Sequence, residues 1–432
     1  MYYRRDLHVF HRKRWPVVTR LTRSIPENGK STWRTFWEKT TIHGVRNTSD
    51  PSMDTFEKVI WFIIVGVFTS GSIYCFVYYS NEFNSQLTKT VVDDSEYNVF
   101  EFHFPSIAIC SRNRLNWRNI DEVQKKYIPE AGNETKYTFK KFFGLFDGIR
   151  FGRFNNLKDI ETLNLSLIEQ IHVSKVLDDL SMTCEELLVK KSCFWKSIRY
   201  DCCDLFFKEK TEAGVCLVFN SLFSEESLKL SKKDKYYPYS NAKSGEGSGV
   251  QVVIQIDSEK KRKSNTDADG VWIMIKNSLE WSHHTIFIRT NTDTSVIITP
   301  QVIHSDESIR AVPPSKRKCI FSGEKNFEFY KLENGEEYKR RNCITQCHQW
   351  YLHRYCNCTI SIFFSQKTLN FRECTPQDFN CVYKNRELFS NDFQPSQEKY
   401  IKSTGDGMMC PCLRNCDSVN YLPSFNSLSL QK

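Results

Sequence analysis

The order of hydrophobic and polar positions divides the chain into three regimes. The first is an uninterrupted apolar run, "VIWFIIVGVFTSGSIYCFVYY", from Val59 to Tyr79, without a charged residue. About twenty residues at ~1.5 Å each cross the hydrocarbon core of a bilayer, so the run predicts a transmembrane helix. Gly66, Ser70, Gly71 and Ser72 give that helix small positions where another helix can come close. The second regime has helical spacing: Leu157, Ile160, Leu163, Leu167 and Ile171 recur every three or four residues and predict one amphipathic helix within 157–180. The third has a period of two. In "VQVVIQI", apolar Val250, Val252, Ile254 and Ile256 predict a half-buried strand, and "HTIFIRT" and "TSVIITP" share the character. A polar loop, "SNAKSGEGSG" (240–249), precedes the first of these strands. Helices followed by a sheet-rich body predict an α+β class rather than alternating βαβ units. The expected division is 1–58, a span at 59–79, and a large domain at 80–432.

Charge orients the span. Residues 1–58 hold twelve Lys/Arg against six Asp/Glu, so six of the nine net positive charges precede the helix. The positive-inside tendency then predicts a cytosolic N-terminus and an exported domain after Tyr79. The run starts too far along the chain, and is too long, for the apolar segment of a cleaved signal peptide. No second run of this kind follows it.

Of seventeen cysteines, Cys75 lies in the span and the other sixteen follow it. The densest stretch, "NCITQCHQWYLHRYCNC" (342–358), sets Cys343 and Cys347 beside His348 and His353 and ends on Cys356 and Cys358. Its spacing alone admits a zinc site, redox thiols or half of a disulfide framework. An even number of cysteines in an oxidising compartment favours disulfides. Asn133 and Asn164 begin glycosylation sequons on the exported side, whereas the sequon at Asn47 falls in the cytosolic segment and the one at Asn357 is crowded by cysteines.

Other chemistry is sparse. The basic runs "EKKRK" (259–263) and "SKRK" (315–318) read as solvated loops, and no nucleic-acid partner is expected. "DAD" (Asp267–Asp269) has the form of a metal-binding D-x-D, but three residues in a polar loop carry little. His283 and His284 are adjacent and would face opposite sides of a strand. With no phosphate loop and no H-E-x-x-H, the expectation is a non-enzyme without cofactor or metal. The aromatic stretch "FKKFFGLFDGIRFGRF" (139–154) is either core packing or an outer ligand surface.

Five blocks carry a family resemblance. "FHFPSIAICSRNRLNW" (102–117) resembles the post-membrane segment of degenerin/epithelial sodium channel subunits, especially the insect pickpocket branch. "TTIHGVRN" is similar to that family's cytosolic His-Gly block, "TEAGVCLVFN" to its G-x-C-x-x-F-N block, and "KRKCIFSGE" to its R-x-C-x-F-x-x-E block. The cysteine order from Cys319 to Cys416 is similar to its thumb ladder. The resemblance implies a trimer, each subunit having cytosolic termini, two membrane helices and a large ectodomain, with amiloride-sensitive sodium conduction across the plasma membrane. It implies sodium ions, other subunits in homo- or heterotrimers, the lipid bilayer and an unspecified extracellular ligand as partners. It gives His43 and Gly44 a part in gating. It also implies six bridges: Cys110–Cys216, Cys319–Cys416, Cys343–Cys412, Cys347–Cys410, Cys356–Cys381 and Cys358–Cys374. Cys184, Cys193, Cys202 and Cys203 form two more, with the partners of the adjacent pair left open.

Two departures stand out. "CNCTISIFFSQ" lacks the proline usual after the C-x-C pair. Beyond "CPCLRNCDSVNY" the family crosses the membrane again through a helix with a G-x-S filter, whereas this sequence runs to Lys432 through "LPSFNSLSLQK". Two expectations follow: a sodium channel subunit, represented by a shortened product or an incomplete gene record, or a single-pass glycoprotein that binds partners or modulates channel trimers without conducting.

Overall fold

The computed structural model describes residues 35–37, 39–85, 89–147, 149–241, 243–245, 247–262, 268–281, 286–322, 324, 337–364, 371–393 and 407–430. His283, His284 and Asp267 lie outside the described residues. The chain forms two compact units, Met1–Lys89 and Thr90–Lys432.

The first unit is built on helix α1 (Thr55–Ser85). Its apolar side chains point outward all round and Phe62, Phe68, Tyr74 and Phe76 are exposed, as a lipid-facing helix requires. The helix outruns the uncharged Val59–Tyr79 stretch at both ends, because Thr55, Glu57, Lys58, Asn81, Glu82 and Asn84 continue the same backbone ladder. Thirty-one residues make a rod of about 46 Å. That is longer than the ~30 Å hydrocarbon core of a bilayer, so in a spanning helix of this length the polar ends would stand at headgroup level.

The second unit mixes sheet and helix. Strands β1 (Ser106–Ser111), β2 (Phe206–Thr211), β3 (Gly214–Phe219), β4 (Gly270–Lys276) and β5 (Ile286–Arg289) form one sheet in the order β2-β3-β1-β4-β5, each adjacent pair antiparallel. The side chains alternate across it. Ile109, Leu217, Phe219, Val271 and Ile273 face one core with Leu187, Trp195 and Leu205. Ala108, Cys110, Cys216, Val218 and Met274 face the other. Two long strands, β6 (Thr292–Ile303) and β7 (Ser418–Ser429), pair along their whole length as a separate antiparallel ribbon. "HTIFIRT" and "TSVIITP" thus contribute to strands, but "VQVVIQI" ladders only at Val250–Gln251. From Val252 to Ile256 the predicted alternation of burial persists, and backbone bonds from Val189 to Val253 and from Gln255 to Leu187 replace a full ladder.

The helical reading of 157–180 is corrected. That stretch holds 3-10 turns at Phe154–Thr162 and Leu165–Ile168, then a short α-helix at Val173–Asp179. The buried positions Leu157 and Ile160, then Leu165, Ile168 and Ile171, recur at intervals of three, the period of a 3-10 turn. Leu167, assigned to the apolar face, is exposed.

Helices α2 (Asn133–Gly144), α3 (Arg340–Cys356) and α4 (Asp378–Lys384) share the largest core. The aromatic stretch 139–154 is packing: Phe139, Phe142, Phe143, Phe146 and Phe154 are fully buried, and the rings of Phe142 and Phe146 meet Phe379 of α4 edge-on at 5.6 and 5.1 Å.

Candidate functional site: the His-Gly turn and the disulfide column

In the first unit His43 and Gly44 form a turn ahead of α1. Gly44 has φ +81°, and a Cβ there would lie 3.0 Å from Val65 Cγ2 and 3.1 Å from Trp61 Cε3. Glycine therefore meets two requirements at once, a left-handed backbone and close approach to the first turns of α1. His43 beside it is exposed. Farther along α1, a Cβ at Gly66 or Gly71 would meet nothing within 4 Å, so both small positions are open.

In the second unit the distant sequence blocks meet. Asn220 closes the G-x-C-x-x-F-N block with a left-handed φ of 60°. Its Nδ2 donates to the carbonyls of Phe104 and Tyr239, while its Oδ1 accepts from the Tyr239 N–H. Phe104 packs edge-on against Trp195 at 4.8 Å and Phe219 at 6.1 Å. The F-P block and the F-N block, more than a hundred residues apart, are thus two halves of one joint. Cys110 and Cys216 stand opposite each other in the β1/β3 register, with Cα atoms 4.5 Å apart, the separation of a non-hydrogen-bonded antiparallel pair.

The column of cysteines has a simple geometry. On α3, Cys343 and Cys347 are one turn apart, an axial step of about 6 Å. Cys410 and Cys412 flank Pro411 in a tight turn, in which the Cys412 N–H donates to the Cys410 carbonyl at 2.7 Å. Two rungs sit side by side: Cys343 with Cys412 and Cys347 with Cys410, at S–S distances of 1.96 and 1.99 Å. The helix ends at Asn357, whose left-handed φ of 52° turns the chain. Cys356 then bonds Cys381 and Cys358 bonds Cys374, while Cys319 bonds Cys416 at the far end. The sulfurs of Cys343, Cys347, Cys356 and Cys358 are thereby engaged, which removes the thiolates a zinc site on this stretch requires. At the vicinal pair, Cys202 bonds Cys193 and Cys203 bonds Cys184. Cys202 is fully buried, and the Asp201 side chain caps the short helix that separates the two directions.

The R-x-C-x-F-x-x-E block clamps the first rung. The Arg317 guanidinium is buried and pairs with the Glu324 carboxylate. Its Nε donates to the Cys319 carbonyl and its Nη1 to the carbonyls of Arg310 and Val312. Glu324 also accepts from the Phe321 N–H, and the guanidiniums of Arg310 and Arg317 lie over the Phe321 ring. Sequence reading matched these residues as a pattern but did not foresee that they tie one loop to the column.

The column is docked to the aromatic stretch 139–154 through His348, which is buried on α3 and stacks on Phe151 at 4.8 Å and 15°. Asp392 Oδ2 lies 3.6 Å from its Nε2. Cys410 is nearby too, but its sulfur is committed to Cys347, so the trio of His348, Asp392 and Cys410 lacks a free thiolate. At the other end of α3's core, Asp378 accepts two bonds from Arg372 at 2.7 and 3.0 Å and two from Thr375. Burial alone would raise the Asp378 pKa, but the hydrogen bonds from Arg372 and Thr375 outweigh it and hold the carboxyl below its ordinary value.

Asn133 and Asn164 are both exposed, and Ser166 donates its hydroxyl to Asn164 Oδ1. Asn357 is exposed as well, but Thr359 of the same sequon is buried and accepts from Gln349.

The described residues hold one helix long and apolar enough to cross a bilayer, followed along the chain by a disulfide-stapled unit of mixed helix and sheet, the arrangement of a membrane-anchored channel subunit. Residues 36–432 match the amiloride-sensitive sodium channel family, and the chain belongs to it. It is 29% identical over 392 residues to pickpocket protein 19 of Drosophila melanogaster, an alignment covering 89% of this chain and 75% of that protein. It is 24% identical to sodium channel protein Nach of Drosophila ananassae and 23% identical to Nach of Drosophila melanogaster, each alignment covering 91% of this chain and 71% or 72% of the relative. The resemblance to insect pickpocket-like subunits rests on these matches.

Proposed function

We propose that this protein is a subunit of a trimeric, amiloride-sensitive sodium channel of the plasma membrane. The observation that carries this reading is the family match across residues 36–432, which takes in the His-Gly turn, α1 and the entire cysteine column. In it the N-terminus is cytosolic, α1 spans the bilayer, the second unit is extracellular, and the partners are sodium ions, lipid and other subunits. Gly44, seated against Trp61 and Val65, makes the His43–Gly44 turn a gating element: movement of α1 is felt at the turn, and the reverse. The disulfide column serves as a stiff lever, because nested bridges leave it few internal modes. Asn133 and Asn164 carry glycans. No enzymatic role is assigned.

The test is expression of the native product in oocytes, alone and with other subunits of the same tissue, with recording of sodium current under amiloride. An inward current that amiloride blocks supports the reading. Verified surface delivery with no change in current in any combination refutes it, and favours a partner-binding membrane glycoprotein.

A further inference from the structure

Between α1 and β1, "DDSEYNVFE" (93–101) sets Tyr97 among the carboxylates of Asp93, Asp94, Glu96 and Glu101. No Lys or Arg occurs anywhere from 90 to 111. Asp93, Asp94, Glu96 and Tyr97 are all exposed, and 90–98 form neither helix nor strand. The Tyr97 side chain is 48% exposed and stacks on Phe102 at 6.4 Å and 22°. Four other tyrosines outside α1 are exposed among the described residues, and each directly follows a cation: Tyr137 follows Lys136, Tyr200 follows Arg199, Tyr236 follows Lys235 and Tyr355 follows Arg354. Tyr97 alone of these five combines an accessible phenol with a purely anionic setting.

That combination suits one kind of enzyme. A transferase that holds a polyanionic nucleotide donor needs a cationic cleft, which attracts a segment of carboxylates and repels one of lysines. An exposed segment without regular structure can enter such a cleft while the rest of the domain stays folded. Glu101, first by a hydrogen bond from the phenol and then by its charge, raises the Tyr97 pKa, so the phenol arrives protonated.

We propose that Tyr97 is a sulfation site, modified during export by an adenylyl sulfate donor and selected through Asp93, Asp94 and Glu96. The inference rests on the extracellular placement of the second unit proposed above. The phenolic oxygen attacks the donor's sulfur and forms the aryl sulfate bond. The sulfur–oxygen bond to the nucleotide phosphate breaks, its electron pair leaves with the phosphate, and the phenol proton passes to a base of the transferase. The ester has a fixed negative charge and no proton to donate, so the hydrogen bond to Glu101 is exchanged for repulsion between like charges. Phe102, on which Tyr97 stacks, also meets Tyr421 of β7 at 6.4 Å, and Tyr421 donates to the His103 carbonyl at 2.6 Å. The modification therefore bears on the junction between the segment before β1 and the long ribbon.

The test uses the full chain expressed in insect cells and extracted in detergent. After reduction and tryptic digestion, Tyr97 is the one tyrosine in peptide 90–112, and mass spectrometry reads whether that peptide carries an added SO3. The expected result is an adduct that is lost as neutral SO3 on fragmentation, resists phosphatase and is absent from Tyr97→Phe. In Asp93→Asn/Asp94→Asn/Glu96→Gln, which changes exposed side chains only, the modified fraction is expected to fall several-fold. An unmodified peptide from chains that carry a glycan at Asn133 overturns the inference and leaves the extracellular placement standing. Chains with neither sulfate nor glycan overturn that placement, and the inference with it. An adduct that phosphatase removes, that survives Tyr97→Phe, or that keeps its level in the triple variant also overturns the inference.

Discussion

Removing one rung from the middle of the column tests whether the bridges act singly or as a ladder. In Cys347→Ala/Cys410→Ala the lost bridge spans a sequence separation of 63. Taken alone, a loop of that length is worth about 4.3 kcal/mol in the chain-entropy account. With Cys343–Cys412 still closed, however, the rung adds only the small ring made by the four-residue step on α3 and the two-residue step across the facing turn at Pro411. A ring of about six residues is worth about 2.2 kcal/mol. An unfolding entropy of about 2.1 cal/mol/K per residue over roughly 340 residues turns these values into a Tm loss of about 3 °C for a ladder and about 6 °C for an independent bridge. Alanine avoids leaving a hydroxyl where both cysteines are fully buried. Scanning calorimetry of the full chain in detergent, with the other seven pairs verified by peptide mass, reads the difference. A loss of 6 °C or more refutes the ladder argument, and so does a loss below 1 °C.

Three further outcomes are expected. Gly44→Ala places an L side chain at φ +81° against Trp61 and Val65, costs about 1–2 kcal/mol in backbone conformation alone, and should change single-channel open probability at normal surface expression; an unchanged open probability argues against a gating turn. Asp378→Asn removes a carboxylate whose folded pKa is depressed, so its stabilisation is present above the unfolded value near 3.9 and fades as pH falls through the folded value; the Tm gap between the two proteins should be full at pH 7 and close toward pH 2, and a pH-independent gap counts against the Arg372 pairing. Asn164→Gln and Asn133→Gln should each increase gel mobility and lose one glycosidase-sensitive step, while Asn47→Gln leaves mobility unchanged; a mobility change at Asn47 overturns the cytosolic assignment of the N-terminus.

Much of this was legible in the order of residues, for physical reasons. A charge-free run long enough to span a bilayer has few alternative fates, so α1 could be read directly, although its ends could not, because polar residues continue a helix without changing its register. Alternation of period two survived as alternation of burial even where, as at Val252 to Ile256, no regular ladder formed. Spacing of three and four did not separate an α-helix from the 3-10 turns at 154–168, since both put Leu157 and Ile160 on one side. Tertiary structure alone decided that Cys202 turns to Cys193 and Cys203 to Cys184, since neighbouring side chains on a short helix differ only in which way the fold leaves them facing. It also decided that the phenylalanines of 139–154 are core, that Arg317 clamps the first rung, and that Arg114 is buried beside a cavity. Local pattern carries periodicity and charge, which the chain expresses over a few residues. The partner of a buried ring, thiol or guanidinium comes from a segment tens to hundreds of residues away, and only the folded packing brings the two together.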